Sequence, residues 1–264
     1  MLVGSLFGSS GAWIGLVIGL LFVGGSYWFS DKIAVAAARA KPVTEQEAPQ
    51  LYRIVRELTT AAQMPMPRLY VTPAMQPNAF ATGRNERHAA VAVTQGIMEL
   101  LEEDELRGVL AHELAHVKNR DVLIGSVAAT VAMGITFSAR MLMWGAMFGG
   151  GGERDDEGSN PIALLAMMIL APIAAALLQM ALSRSREFEA DHAGAGLVNN
   201  GEPLARALEK MQVAAKQVPM NVNPAQATMY IVNPLSGRQV NFAKLFSTHP
   251  PTEERIARLR SWRP

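Results

Sequence analysis

His112, Glu113 and His116 stand in the order H-E-x-x-H, with Leu114 and Ala115 between them. On a helix, positions i and i+4 lie one turn apart on one face, so both imidazoles can reach one ion. The glutamate after the first histidine leans to the side of that pair, where it can hold a metal-bound water and take its proton. Zinc lowers the pKa of such a water toward neutrality and makes it a nucleophile. The pattern therefore points to zinc-assisted hydrolysis of a peptide bond, with Glu113 as the catalytic base. The stretch from about Glu103 to Asn119 reads as the helix this chemistry needs. Leu106, Val109, Leu110, Leu114 and Val117 form its apolar face, and the two histidines and the glutamate lie off it.

Catalytic zinc takes three protein ligands and keeps one open position. The chain has no cysteine, so the third ligand is His, Asp or Glu, and disulfides and a cysteine nucleophile are excluded. Candidates are Glu187, Glu189, Asp191, His192 and His249. Glu187 and Asp191 share a helix face at i and i+4, which suits one acid on the metal and the other on the free N–H of a ligand histidine. Glu189 and His192 point elsewhere on the same helix and read as solvated or packing, so spacing favours Glu187 by a small margin. The net charge of +1 gives no footprint for nucleic acid.

The elements that must carry these residues divide sharply by hydropathy. Half of the 264 residues are hydrophobic, and only 18% are charged. Residues 1–30 carry no charge, and Gly11–Ser30 is long enough for a helix to cross a bilayer. Val122–Phe148, interrupted only by Arg140, and Pro161–Ser183 are two further apolar runs. The first run lacks a basic start and a small-residue cleavage site, so it reads as a retained anchor. Lys32, Arg39, Lys41, Lys118, Arg120, Arg184 and Arg186 flank the runs, whereas the loop Gly149–Asn160 holds four acidic residues and one basic one. The bias of basic residues toward the cytoplasm places 31–121 and 184–264 there as two parts of one domain, with the acidic loop outside.

Within the polar parts, Thr44–Gln63 has helical spacing. Arg68–Thr72, Ala79–Thr82 and His88–Thr94 read as strands, with Gly83–Glu86 as a hairpin turn. The third apolar run continues as a helix through about Val198, and Pro203–Gln217 forms another. Residues 218–248 read as loop, and Thr252 as the N-cap of a last helix reaching about Trp262.

Together these residues resemble the HtpX family of bacterial membrane heat-shock zinc proteases, kin to the eukaryotic CAAX prenyl proteases. The likeness runs through Ser26–Lys32, Pro77–Gly83, His112–Asp121, Ser185–Asp191 with its E-x-x-x-D pattern, and Thr248–Pro251 with Arg255 and Ile256. It implies an α+β zincin-like (gluzincin) catalytic domain with a small β-sheet, joined to transmembrane helices. It implies one zinc per chain, Glu187 as third ligand and Asp191 as partner of a ligand histidine. Asn78, Ala79, Phe80 and Ala81 would line the substrate cleft, where an extended peptide adds as a strand. His249 and Arg255 would stand near the open metal position, one of them stabilising the oxyanion. The family has a span before the Gly11–Ser30 run, whereas here only Met1–Phe7 precedes a Gly8–Gly11 turn.

The expected activity is membrane-embedded endopeptidase cleavage of misfolded or unassembled membrane proteins in the bacterial inner membrane, as stress-response quality control. Cooperation with another membrane protease such as FtsH is implied by the resemblance. Two other readings remain: a dedicated peptidase for one processed or lipidated substrate, and a non-catalytic membrane scaffold or transporter.

Overall fold

A computed structural model describes residues 8–148, 161–217, 231 and 250–264. The expectations for Met1–Phe7, the acidic loop 149–160, the loop 218–248 apart from Ile231, and His249 lie outside these residues. The chain divides into two units, one of residues 1–27 and 124–181, the other of 28–123 and 182–264.

The first unit contains α1 (Gly8–Trp28), most of α6 (Asp121–Phe148) and the first part of α7 (Pro161–Val198). The expected turn at Gly8–Gly11 is instead the first turn of α1. The Trp13 ring meets Phe137 of α6 edge-on, with centroids 4.9 Å apart. Among the described residues, one helix by itself, Asp121–Leu142, is long and apolar enough to cross a membrane.

The second unit holds α2 (Ser30–Ala37), β1 (Lys41–Pro42), α3 (Pro49–Ala62), β2 (Arg68–Thr72), β3 (Ala79–Thr82), β4 (Ala90–Thr94), α4 (Gln95–Leu100), α5 (Glu103–Lys118), the end of α7, α8 (Glu202–Gln217) and α9 (Thr252–Arg260). The sheet runs β1-β2-β4-β3. β2 and β4 are parallel, and β3 pairs antiparallel with β4, Ala79 facing Val93 and Thr82 facing Ala90. β4 is buried along its whole length, as a central strand is. It starts at Ala90 and not at His88, because Glu86–His88 turns into a 3-10 helix capped by Asn85, whose Oδ1 accepts from His88 N at 3.1 Å. α3 likewise starts at Pro49 and not at Thr44. The Thr44 amide and hydroxyl both donate to the Glu47 carboxylate (2.7 and 2.8 Å), closing a local turn, and proline then suits the first helical turn. In α9 the N-cap is Pro251, with Thr252 the first helical residue.

α5 is the centre of this unit. Gly108 to Ala115 are all buried, so its polar face meets protein and not solvent. Glu105, buried at its first turn, accepts from Glu102 N at 2.9 Å and from Lys210 Nζ of α8 at 2.7 Å, capping α5 and docking α8 at once. Two glycines let neighbouring backbones close in. A Cβ at Gly108 would stand 2.7 Å from Leu204 N of α8, and one at Gly194 of α7 would stand 2.8 Å from His112 N. Leu110 and Leu114 reach the core shared with Ile54, Val55, Val91, Val93 and Leu208.

Gly194→Ala is therefore expected to lower stability by about 1–3 kcal/mol, since backbone atoms of α5 cannot step aside cheaply. Gly196→Ala, two residues on with open space around its Cβ, is expected to be neutral or to stabilise by up to about 1 kcal/mol through helix propensity. Thermal unfolding of the detergent-solubilised variants, followed by circular dichroism, checks the contrast.

Candidate metal centre

His112 and His116 project from successive turns of α5, and their rings meet edge-on with Nε2 atoms 3.1 Å apart. Glu187 comes from α7, delivered to this point by the close approach at Gly194. Its Oε1 lies 3.5 Å from His116 Nε2 and its Oε2 3.8 Å from His112 Nε2. One donor atom from each of these three residues thus falls within 4.8 Å of the others. Of the four third-ligand candidates among the described residues, Glu187 is brought to the histidine pair. Glu189 and His192 are exposed, and Asp191 lies on the far side of His112.

The outer nitrogens each face a carboxylate. His112 Nδ1 lies 3.0 Å from Asp191 Oδ1. His116 Nδ1 lies 2.6 Å from Asp121 Oδ2. At His116 the carboxylate hydrogen-bonded to Nδ1 fixes that nitrogen as the N–H and leaves Nε2 its lone pair, the arrangement a metal ligand needs. Asp121 is a contact that spacing did not reveal: it stands five residues after His116, off the histidine face of any continuous helix.

Arg255 is buried against the histidine pair, its Nη2 3.3 Å from His112 Nε2. Its Nε and Nη2 bind the two oxygens of Asp191 at 2.8 and 2.7 Å, and Nη1 lies 3.1 Å from Glu187 Oε2. Its guanidinium thus braces the two acids of α7. Nη1 also donates to Ile231 O at 3.3 Å, and Ile231 N donates to Asn78 Oδ1 at 3.2 Å. Asn78 is buried and fixes the entry to β3, its own amide donating to Thr94 Oγ1 at 2.9 Å. β3 is the sheet edge next to α5. The Ala81 amide points away from β4 and donates to Glu113 Oε2 at 2.8 Å. Ala79 and Phe80 are buried and Ala81 is half-buried.

The electrostatics favour a cation. Glu113, Asp121, Glu187 and Asp191 bring four carboxyl groups against the two guanidinium groups of Arg186 and Arg255, an excess of acid around the histidine pair. In the metal-free protein, burial would depress His116, but the carboxylates of Asp121, Glu187 and Glu113 outweigh it and raise its pKa to about 9. Burial likewise works against the Asp191 carboxylate, yet Arg255 and His112 hold it down at about 2. Burial pushes the Glu113 carboxyl up, against the pull of His112 and His116. A divalent ion with two imidazoles and one carboxylate would neutralise the cluster, so the donor set fits a metal.

Comparison with known proteins gives a concordant result. Residues 45–263 match the model of peptidase family M48. Curated relatives described as protease HtpX homologs include one from Syntrophobacter fumaroxidans, 57% identical over 98% of this chain and 92% of its own length. Another, from Pelotomaculum thermopropionicum, is 53% identical over the same shares. A third, from Nostoc punctiforme, is 50% identical over 96% of this chain and 86% of its own. Among solved structures, the crystal structure of S. mikatae Ste24p superposes with a TM-score of 0.59 at 18% identity. That match covers 96% of this chain but only 59% of Ste24p, and it is a likeness of fold.

Glu187→Ala is expected to purify with little bound metal, and Glu189→Ala with as much as the wild type. Elemental analysis of the two variants checks this; equal metal in both would contradict the geometry.

Proposed function

The chain belongs to peptidase family M48 and is a metallopeptidase; from that premise we propose that it is a membrane-embedded zinc endopeptidase of gluzincin type, acting on misfolded or unassembled membrane proteins at the cytoplasmic face of the bacterial inner membrane. The observation that carries this reading is the convergence of His112, His116 and Glu187 beside Glu113 and the edge strand β3. Two imidazoles and a carboxylate, without thiolate, are a donor set of catalytic zinc.

Zinc held by His112, His116 and Glu187 would polarise the scissile carbonyl and bring its bound water to a pKa of about 7. The remaining chemistry falls to the chain's own groups. Glu113 takes the proton of that water and passes it to the leaving amine. One of its oxygens is anchored on the Ala81 amide, which fixes the carboxylate beside the strand where the peptide lies. The substrate adds along Ala79–Thr82 by main-chain bonds, Asn78 holding the strand's entry. Asp191 orients His112, and Arg255 braces Asp191 and Glu187. His249 or Arg255 supplies the oxyanion donor in this reading.

The membrane assignment is supported by apolar side chains left uncovered along three helices. Leu21 and Phe22 of α1 are 71% and 75% exposed, and Val127 of α6 and Leu170 of α7 are 55% and 60% exposed. Water would not tolerate that surface, whereas hydrocarbon does. The basic residues near the ends of these helices, set against the acidic loop, favour the cytoplasmic orientation.

Glu113→Gln removes the base and keeps the volume. Cleavage of an unfolded membrane protein by this variant in proteoliposomes is expected to fall by about 10²–10⁴-fold, with zinc content unchanged. Wild-type turnover would refute the mechanism.

A further inference from the structure

The second ligand histidine has a support that the mechanism above does not use. Asp121 Oδ2 lies 2.6 Å from His116 Nδ1, and its other oxygen lies 2.6 Å from both Nε and Nη2 of Arg186. The three side chains are at least three-quarters buried, at 19%, 13% and 23% exposure for His116, Asp121 and Arg186. They come from three helices. His116 is on the last turn of α5, Asp121 is the first residue of α6, and Arg186 directly precedes Glu187 on α7.

The backbone is bent to make this contact. In an unbroken helix, a residue five positions after His116 would point well away from its face. Here α5 stops at Lys118, and Arg120 takes the left-handed conformation at φ +57°. A non-glycine residue in that region is uncommon and costs strain. The reversal carries Asp121 back to the imidazole it would otherwise miss. The same logic appears on the other ligand, where His112 faces Asp191 and Asp191 is clasped by Arg255. Each histidine thus has its own acid, and each acid its own arginine.

We propose that Asp121, fixed by Arg186, is a positioning residue that holds the His116 ring with its Nε2 toward the site, and that this pair sets how tightly the centre binds a divalent metal. The proposal rests on the reading of His112, His116 and Glu187 as metal ligands. Asp121 fixes the second ligand, and Arg186 links it to the residue beside the third. The metal affinity therefore depends on how the start of α6 meets α7.

The test is zinc binding by full-length, detergent-solubilised protein, stripped and titrated with Zn²⁺ against a chelator, beside thermal unfolding of each metal-free form. Asp121→Asn is expected to weaken zinc binding by about 10–100-fold, the usual effect of losing a carboxylate behind a ligand histidine. Arg186→Gln weakens it less, and still reports on the pair should Asp121→Asn fail to fold. In the charge swap of Asp121→Arg with Arg186→Asp, the helix–helix ion pair returns, and with it the melting temperature. Zinc affinity stays low, because an arginine then faces His116. Wild-type affinity in Asp121→Asn, in Arg186→Gln or in the swap would overturn the proposal, the last outcome showing that the pair only packs α6 against α7. A wild type that binds no zinc would fail differently, removing the metal site itself.

Discussion

Two imidazole nitrogens that must be buried, unprotonated and aimed at one point make a demand that most of the catalytic unit answers. A helix turn brings His112 and His116 together at no cost beyond their spacing. Keeping the His116 Nε2 lone pair free is harder, because the carboxylates of Asp121, Glu187 and Glu113 favour protonation and raise this residue to about 9 in the metal-free protein. A divalent cation resolves that conflict by taking the place of the proton. Acids behind each ring then fix the tautomer, and arginines behind each acid balance the charge.

That arrangement places ionic groups where they are expensive. Removing one partner of a buried pair typically costs about 3–5 kcal/mol, more than a core methyl group is worth. Asp191, Glu187 and Arg255 are therefore tied into one rigid block, with α9 bringing the arginine and α7 the acids. The close helix approach at Gly194 follows from the same need, since Glu187 and Asp191 reach the α5 histidines only if the two helices nearly touch. The site and the packing of α5 against α7 are in this sense one structure.

The parts of this that sequence discloses are those fixed by local rules. Strands Arg68–Thr72 and Ala79–Thr82 follow from short β-branched or apolar runs between turn residues, and the α5 helix from its period. The H-E-x-x-H pattern names two ligands and a base by itself. Spacing favours Glu187 only slightly as the third-ligand candidate, because what brings it to the histidine pair is the approach of α7, a tertiary fact. Asp121 was hidden for a related reason: its contact depends on a left-handed residue at Arg120, which no hydrophobic period encodes. The two-residue strand β1 and the short helix α4, capped by Thr94 Oγ1 on the Ile97 amide at 3.1 Å, are too short to carry a pattern. Amphipathic spacing also does not encode that α5 is buried on every side from Gly108 to Ala115, His112 and Glu113 included.

In the proposed function, two imidazoles and one carboxylate hold a zinc ion with a position left open. X-ray absorption at the zinc edge of the purified, zinc-loaded protein tests it most directly. The account expects a four-coordinate shell of nitrogen and oxygen at about 2.0–2.1 Å with the outer-shell scattering of two imidazoles. An oxygen-only six-coordinate shell, or scattering from fewer than two imidazoles, would contradict it.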